Sequence, residues 1–327
     1  MERRIAIGAL SVGATAAALW TIAKKSSTST TTVTTAATGG PGTAGPALTA
    51  ATLEATEGSQ IEHRIPCAAC ETGSFGFLLY LPKGYRAGEP WPVVYHLHGG
   101  GESELQQGFG PLTKDGKNML SAVKAHGLPA IVEGAAPPCV VVSPQCPKGA
   151  GGWGSATALT ALEILADLVS EALNVDADRQ YLTGLSMGGY GTWSWAVHSP
   201  QRFAAVAPVC GGWRDASTRA SAATAIAHIP HYIAHGANDK IVPVRASDEM
   251  VEALRSAGAG DIVYCRYPTS PAPYQPTDWS PRRADGSNGA PLAPNDLTGH
   301  DSWTQTYTDQ KFFSWLFSKT KHKHSKL

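Results

Sequence analysis

The sequence predicts an α/β protein with a doubly wound, mostly parallel sheet and helices on both faces. The apolar runs are short, each ends in Gly, Pro or a polar residue, and helical patterns separate them. Strands that are buried on both faces have such continuous apolar runs, which is typical of parallel sheets covered by helices. The runs are FLLYLP (77–82), VVYHLHGGG (93–101), CVVVSPQ (139–145), YLTG (181–184), FAAVAPVCGG (203–212), HYIAHG (231–236) and IVYCRYP (262–268).

Two of the segments between these runs have the helical period. Residues 157–173 repeat an apolar side chain every three or four positions, and residues 248–257 form a second predicted helix. One face of the first helix carries Leu162, Leu165, Val169 and Leu173. Ligands of such sheets bind beyond the carboxyl ends of the strands. The glycine-rich and polar residues fall at those ends, so we expect the functional site there.

Length and charge limit the classes of partner. The chain has 327 residues, with 26 basic and 26 acidic side chains. That length can hold one large domain with a well-buried core. Because the charge is balanced and no basic stripe carries interleaved aromatics, nothing indicates a nucleic-acid partner. We expect a small or apolar substrate rather than a polyanion.

The six cysteines give a weak metal or redox signal. Cys67 and Cys70 have the spacing of half a zinc site, but no second pair follows at ligand spacing. Two others lie in apolar runs, where a thiol usually serves as a small hydrophobe. One or two disulfides are compatible with the sequence, and Cys139–Cys146 is the pair that we expect first.

Composition divides the chain into four segments. Residues 1–25 place an Ala-rich apolar run between basic pairs, which is typical of a signal peptide or a membrane anchor. Residues 26–60 are rich in Thr, Ala, Gly and Pro and are interpreted as a linker. Residues 61–318 contain every predicted strand and helix, and 319–327 form a basic tail.

The two ends of the chain indicate different locations. The leader predicts a secreted or membrane-anchored protein, with membrane contact through the N-terminal segment, although a disordered Ala-rich leader has the same composition. The last three residues, Ser325-Lys326-Leu327, match the peroxisomal address. Because the leader emerges first during synthesis, we expect it to dominate, with the peroxisome as the alternative.

The stretch GLSMG, residues 184–188, is a G-x-S-x-G sequence between a strand-like run and a helical one. A turn this sharp forces Ser186 into a strained backbone conformation, with its neighbours too close for a Cβ. The hydroxyl would then stand free above the sheet. The backbone N–H of Met187 would face the same space at a helix N-terminus. This placement predicts a nucleophile, and a serine helix cap is the alternative.

A nucleophilic serine needs a base and an acid. The hydroxyl is weak until a histidine takes its proton, and a carboxylate must orient that histidine. In this kind of sheet the chain order is nucleophile, acid, histidine. Asp239 lies just past the run 231–236, and His300 lies in a loop after the last run. Both occur in the required chain order and at the carboxyl ends of the strands, so they are our candidates for the acid and the base.

Other acids and histidines fit these roles less well. Asp301 adjoins His300 and would struggle to reach the far nitrogen of that ring, and Asp261 opens a strand at the wrong end of the sheet. Three histidines at and just before the run 231–236 could suggest a metal cluster, but we expect them to be structural; they are His228, His231 and His235.

The turn HGGGE, residues 98–102, can supply a second donor to an oxyanion. The expected oxyanion donors are Met187, Gly100 and Gly101. His96 and His98 are spaced so that they could chelate a metal, but we expect them to pin the turn. Aromatic residues near strand ends that could line a pocket are Trp153, Tyr190 and Trp213, although core packing explains them equally well.

Taken together, these stretches resemble the α/β-hydrolase superfamily. More narrowly, they are similar to serine esterases and peptidases near the polyhydroxybutyrate-depolymerase and phospholipase/carboxylesterase-type groups. The ordered motifs are HLHGGGE, VVSPQCP, DADRQYLTGLSMGGYGTW, APVCGGW, HGANDKIVPV and GHDSWTQTY, within residues 61–318. The resemblance implies Ser186, Asp239 and His300 as a catalytic triad, with Met187 and the 99–101 turn as the oxyanion hole.

The implied function is hydrolysis of small carboxylic esters through an acyl-enzyme, without metal or organic cofactor. A serine peptidase or acyl thioesterase on the same fold is the alternative, and a non-catalytic binding protein is a candidate from another class. The chain departs from these groups because residues 268–299 separate the last strand from His300. Loops of this length are usually functional lids or disorder. The sequence does not predict the oligomeric state.

Overall fold

The computed structural model of the chain describes residues 4–6, 33–34, 52–102, 120–270 and 298–321. The strands are β1 (Arg4–Ala6), β2 (Val33–Thr34), β3 (Thr52–Thr56), β4 (Gln60–Pro66), β5 (Ser74–Tyr80), β6 (Trp91–Leu97), β7 (Val140–Pro144), β8 (Val175–Leu185), β9 (Ala205–Val209), β10 (His231–Gly236) and β11 (Ile262–Tyr267). The helices are α1 (Leu120–Lys124), α2 (Gly127–Ala135), α3 (Ala156–Ala172), α4 (Met187–His198), α5 (Arg219–Ile226), α6 (Arg245–Ser256), α7 (Trp303–Thr308) and α8 (Gln310–Phe317), with a 3-10 turn at Gly100–Glu102.

Eight strands form one sheet in the order β11-β10-β9-β8-β6-β7-β5-β4. All neighbours from β11 to β7 are parallel, whereas β5 pairs antiparallel with β7 and β4 antiparallel with β5. The predicted doubly wound, mostly parallel sheet is therefore confirmed. The edge strand β4 was not predicted, because its sequence QIEHRIP has no continuous apolar run.

Helices cover both faces of this sheet. Along β6, Val93 and Tyr95 pack into one core, while Val94 between them packs into the other. Helices α3, α4, α5 and α6 contribute to the first core, and α2, α7 and α8 to the second. Alternate residues of a strand point to opposite faces, so strands that serve two cores must be apolar at nearly every position. This explains the continuous apolar runs of the sequence.

The helix predicted at 157–173 is α3. It begins after Ser155, whose side chain accepts a hydrogen bond from the backbone N–H of Ala158 at 3.2 Å. That bond satisfies one of the N–H groups that a helix start leaves without a partner. The predicted apolar stripe is buried in the first core.

The cysteine pairing differs from the expectation. Cys67 and Cys70 form a disulfide, and the expected Cys139–Cys146 pair is wrong because these two buried cysteines are not disulfide-bonded. Cys139 packs into the core that α2 and α8 cover, whereas Cys146 packs into the core that α3 and α4 cover. The two thiols therefore belong to opposite faces of the sheet and cannot meet.

The segment before the main domain also contains structure. Strands β1, β3 and β2 form a separate three-stranded antiparallel sheet. Strands β2 and β3 and the first residue of β4 fall within the segment 26–60 that we interpreted as a linker. Within the described ranges, no helix has the length and apolar character needed to cross a membrane. Most of the leader, the centre of the long loop and the terminal tripeptide lie outside those ranges.

Candidate active site

Ser186 stands alone between the end of β8 and the start of α4. Its backbone has φ 52° and ψ −116°, a conformation that residues with a Cβ rarely adopt. Backbone hydrogen bonds hold the turn. The N–H of Ser186 donates to the carbonyl oxygen of Val209, at the end of β9, at 2.9 Å. The N–H of Tyr190 donates to the Ser186 carbonyl at 3.1 Å. The serine is thus a strained residue at a rigid corner.

The two flanking glycines make this corner sterically feasible. A Cβ on Gly188 would overlap the carbonyl oxygen of Leu97 in the neighbouring strand. A Cβ on Gly184 would lie 2.5 Å from the carbonyl oxygen of Gly188 and 2.8 Å from that of Leu97. Carbon and oxygen do not approach so closely without a bond, so larger residues would push the elbow off the sheet. The G-x-S-x-G spacing therefore has a direct steric cause.

Asp239, His300 and Ser186 form one hydrogen-bonded line. His300 Nε2 lies 2.9 Å from Ser186 Oγ, and His300 Nδ1 lies 2.6 Å from Asp239 Oδ2. The three residues come from the end of β8, the loop after β10 and the loop before α7. The sheet brings together residues that are 114 and 61 positions apart in the chain. All three candidates meet at the predicted edge.

The carboxylate of Asp239 is buried and held from both sides. Its Oδ1 accepts the backbone N–H groups of Ile241 at 2.8 Å and Val242 at 2.9 Å. Burial alone would raise the pKa of Asp239, but the hydrogen bonds from His235, His300 and the backbone outweigh it and hold the pKa well below its usual range. Asp239 is therefore ionised at neutral pH.

The competing residues lie elsewhere or serve the fold. Asp301 accepts bonds from the backbone N–H and the hydroxyl of Thr304, both at 2.9 Å, at the start of α7. Asp261 forms an ion pair with Lys319 at 2.8 Å. His228 and His231 each contact a backbone carbonyl oxygen. His235 contacts the Ser247 hydroxyl and the carbonyl oxygen of Val242, and its 3.2 Å contact with Asp239 was not predicted.

The turn after β6 is pinned by His98. The backbone N–H of Cys146 donates to His98 Nε2 at 2.9 Å, so Nδ1 carries the hydrogen and donates to the carbonyl of Gly99 at 2.6 Å. His96 makes no such bonds to the turn. It packs edge-on against Tyr307, and burial together with the neighbouring His98 lowers its pKa to about 3. The expected pinning role therefore fits His98 rather than His96.

The turn approaches the serine closely. A Cβ on Gly99 would lie 3.6 Å from the Cβ of Ser186 and 3.1 Å from Oε2 of Glu102. Glu102 is a buried acid that sequence reasoning did not single out, and its Oε1 lies 3.3 Å from Nδ1 of His126. Gly100 and Gly101 form the 3-10 turn between these residues. The last residue of the HGGGE motif therefore lies against the residue that approaches Ser186.

The three aromatic candidates differ in exposure. Trp153 is buried, and its Nε1–H donates to the carbonyl oxygen of His98 at 3.0 Å, so it supports the turn from below. Tyr190 is partly buried beneath the Arg214 guanidinium, which lies 4.8 Å from its ring centre. Trp213 is partly buried and donates to the hydroxyl of Thr218 at 3.0 Å. For Trp153 the structure favours the packing interpretation.

Within the described ranges, one group of side chains brings three metal-ligating atoms within 4.8 Å of one another: Cys210, Asp239 and His300. Each of these residues already has hydrogen-bonding partners. The Cys210 sulfur accepts the backbone N–H of Ser186 at 3.3 Å, and burial is the main reason why the pKa of its thiol is raised. The arrangement therefore fits a hydrogen-bonded triad better than a metal centre.

Comparisons with known proteins agree with this fold. The sequence profile of the esterase family, described as "Putative esterase", matches residues 72–257. A protein described as "Probable feruloyl esterase C" from Aspergillus terreus is 25% identical over 217 residues, which covers 62% of this chain and 72% of the relative. The crystal structure of a thermostable esterase superimposes with a TM-score of 0.56 at 26% identity, covering 84% of this chain and 68% of that one.

The sheet and its structural neighbour define an α/β-hydrolase, and the relatives define its chemistry as carboxylic ester hydrolysis. The profile match covers more than half of the chain, so the chain belongs to the esterase family. The resemblance noted from the sequence is thereby confirmed at the level of fold and reaction class.

Proposed function

We propose that this esterase uses Ser186 as nucleophile, His300 as general base and Asp239 as the acid that orients His300. One observation carries the proposal: a strained serine lies 2.9 Å from an imidazole whose other nitrogen lies 2.6 Å from a buried carboxylate. A serine that only capped a helix would not need hydrogen bonds to a histidine and, through it, to a buried carboxylate. Ser186 does not cap α4, since its side chain makes no bond to the first turn of the helix.

In the first step His300 Nε2 takes the hydroxyl proton while Ser186 Oγ attacks the ester carbonyl carbon. Asp239 remains ionised and stabilises the imidazolium through the Nδ1–H bond. The tetrahedral intermediate then collapses, the alcohol oxygen leaves with the proton from His300, and the acyl group stays on Ser186. Holding the base within hydrogen-bond distance removes much of the cost of bringing the reacting groups together.

The negative oxygen of the intermediate would be stabilised by backbone N–H groups. Met187 opens α4, and the first N–H groups of a helix have no partner within it. Gly100 follows the residue that approaches Ser186 from the neighbouring strand, and Gly101 is next to it. We assign Met187 and Gly100 as the two donors, with Gly101 as the alternative. Such fixed dipoles are usually the largest single contribution to acyl transfer.

In the second step water enters and the same base takes one of its protons. The hydroxide oxygen attacks the acyl carbon, the oxyanion again rests on the backbone donors, and collapse returns the proton to Ser186. The free acid leaves. No further group is required, because the proton moves only between Ser186, His300, water and the leaving alcohol.

Replacement of Ser186 tests this assignment. We expect Ser186→Ala to lower kcat on p-nitrophenyl esters by about 10⁴-fold or more, with a far-ultraviolet spectrum like that of the parent. Ser194→Ala is the matched control, because Ser194 lies on the same helix and, among the described residues, its hydroxyl donates only to the carbonyl oxygen of Tyr190 at 3.0 Å. Retained turnover in Ser186→Ala would reject the assignment.

The next question about the function is which acyl group the ester substrate carries. Because a relative is described as a feruloyl esterase, we propose that aromatic acyl esters are among the substrates. A panel of feruloyl, short-chain and long-chain esters, together with a thioester and a peptide amide, ranks these classes by kcat/KM. Highest kcat/KM on the amide or the thioester would favour the peptidase or thioesterase alternative.

A further inference from the structure

His235 is a buried histidine that the triad does not require. It is the fifth residue of β10, and its side chain is fully inaccessible. Its Nε2 lies 2.9 Å from the carbonyl oxygen of Val242 and 3.2 Å from Oδ2 of Asp239. Its Nδ1 lies 2.7 Å from the hydroxyl of Ser247 on α6. The acid of the proposed triad therefore contacts two histidines, one on each side.

The neighbours of His235 determine where its hydrogen lies. Both groups that face Nε2 are acceptors, the carbonyl oxygen of Val242 and the ionised carboxylate of Asp239. Nε2 must therefore carry a hydrogen, because two acceptors facing an unprotonated nitrogen would leave buried lone pairs without donors. Oδ2 of Asp239 thus faces two imidazoles: His300 Nδ1 lies 2.6 Å away, and His235 Nε2, whose N–H also faces the carbonyl oxygen of Val242 at 2.9 Å, lies 3.2 Å away.

The far side of the His235 ring is also fixed. The Ser247 hydroxyl oxygen lies 2.7 Å from His235 Nδ1 and 2.9 Å from the carbonyl oxygen of Gly211 just past β9, and its single hydrogen serves one of these two contacts at a time. His235 therefore links the carboxylate to α6 and to the end of β9, the elements next to the nucleophile elbow. A side chain held at both nitrogens in a close-packed interior has little freedom to rotate.

We infer that His235 is a positioning residue, which holds Oδ2 of Asp239 at the angle that His300 needs. The inference rests on the proposed triad and adds a residue to it. Oδ1 is fixed by two backbone N–H groups, and His235 fixes the other oxygen. A carboxylate bound at both oxygens cannot turn away when His300 becomes an imidazolium and the bond between them strengthens.

His235 also limits the charge that Asp239 offers to His300, because two donors share one oxygen. In the described part of the chain, the titratable groups around this contact include Asp239, His300, Cys210 and Tyr190, while α6 contributes the hydroxyl of Ser247. Without the His235 N–H, the carboxylate would hold protonated His300 more strongly. The acidic limb of the pH–rate profile would then move to higher pH.

The test compares two buried histidines of the same strand. His231 is as inaccessible as His235 and bonds to the carbonyl of Ile226 at 3.1 Å, but it lies at the opposite end of β10. We expect His235→Leu to lower kcat by about 10- to 100-fold with little change in KM, and to shift the acidic limb upward. His231→Leu should lower the melting temperature similarly while keeping kcat and the pH profile.

A conservative variant separates position from packing. His235→Gln can keep an N–H towards Asp239, so it should recover most of the lost kcat. If His235→Leu folds and keeps both kcat and the acidic limb of the parent, the inference is overturned. If it does not fold, Ser247→Ala decides: a smaller loss of kcat with the same pH shift supports the role, and an unchanged profile overturns it. Failure of the triad itself would appear separately, as retained turnover in Ser186→Ala.

Discussion

Asp239 and Glu163 are two shielded carboxylates whose hydrogen bonding looks alike. Glu163, on α3, accepts bonds from the Trp195 indole at 2.5 Å, from the Ser199 hydroxyl and from the Arg202 guanidinium at 2.6 Å. Burial would raise the pKa of Glu163, but these bonds outweigh it and lower the pKa, as the bonds to Asp239 do. Ser199 and Arg202 come just before the start of β9, whereas Asp239 comes just after the end of the parallel strand β10.

The two carboxylates differ in the chemistry of their donors and in what those donors contact on the side away from the carboxylate. Arg202 keeps its protons at any pH at which proteins fold, and it is also paired with Asp167. His300 is an imidazole with two ring nitrogens, and the nitrogen that does not face Asp239 lies 2.9 Å from the hydroxyl of Ser186. A perturbed carboxyl pKa therefore indicates a dense set of donors, and of the two carboxylates only Asp239 has a donor, His300, that also contacts the proposed nucleophile.

Removing the charge of Asp239 should have the largest effect in this comparison. We expect Asp239→Asn to lower kcat by about 10³- to 10⁴-fold, because the amide would stabilise the wrong tautomer of His300 and could not stabilise its imidazolium. Steady-state kinetics on a p-nitrophenyl ester measure the loss. A variant with more than a tenth of the parent kcat would show that Asp239 is not the orienting acid.

The equivalent change at Glu163 should affect stability instead. Glu163→Gln removes charge-assisted hydrogen bonds from Trp195 and Arg202, which we expect to lower the free energy of unfolding by about 1–3 kcal/mol. Denaturant titration measures it, and kcat at 25 °C should remain that of the parent. An equal loss of kcat in both carboxylate variants would remove the functional distinction between the two clusters.

The pH dependence of stability should be alike at the two sites. A carboxyl group whose pKa is lower in the folded than in the unfolded protein stabilises the fold. This stabilisation is complete above the unfolded pKa, about 4.3 for Glu, and is lost as the pH falls through the folded pKa. The difference in unfolding free energy between parent and Glu163→Gln should therefore be constant near neutral pH and shrink below about pH 4. A difference that grows on acidification would contradict the lowered pKa of Glu163.

The smallest expected effect concerns the turn that faces Ser186. Trp153→Phe keeps an aromatic ring beside His98 but removes the N–H that donates to its carbonyl oxygen at 3.0 Å. A looser turn should lower kcat by about 3- to 10-fold, since Gly100, one of the two proposed oxyanion donors, lies in it. Trp193→Phe is the control, because the Nε1 of this buried indole has no hydrogen-bond partner among the described residues.

Much of this architecture could be predicted from the sequence, because parallel strands buried on two faces must be apolar throughout. The run HYIAHG coincides with β10, and the predicted helix at 157–173 differs from α3 by one residue at each end. Ser186, Asp239 and His300 could be selected because chain order and strand edge constrain them strongly. Their distances are a property of the sheet, and one sequence does not contain them.

The residues that sequence reasoning missed or misjudged depend on contacts across the sheet. Cys139 and Cys146 are close in sequence but belong to opposite faces, which spacing alone cannot reveal. His235 was correctly interpreted as a buried structural histidine, yet its contact with Asp239 depends on how the chain turns after β10. In the sequence Glu102 is only the last residue of the HGGGE motif, and its proximity to Gly99 depends on how the turn folds.

Covalent labelling tests the central claim most directly. We would treat the parent and His300→Ala with a fluorophosphonate and locate the adduct by peptide mass spectrometry. If Ser186 is activated by His300, the parent carries a single adduct on Ser186 and His300→Ala reacts at least about 100-fold more slowly. An adduct on another residue, or equal labelling rates in the two proteins, would contradict the account.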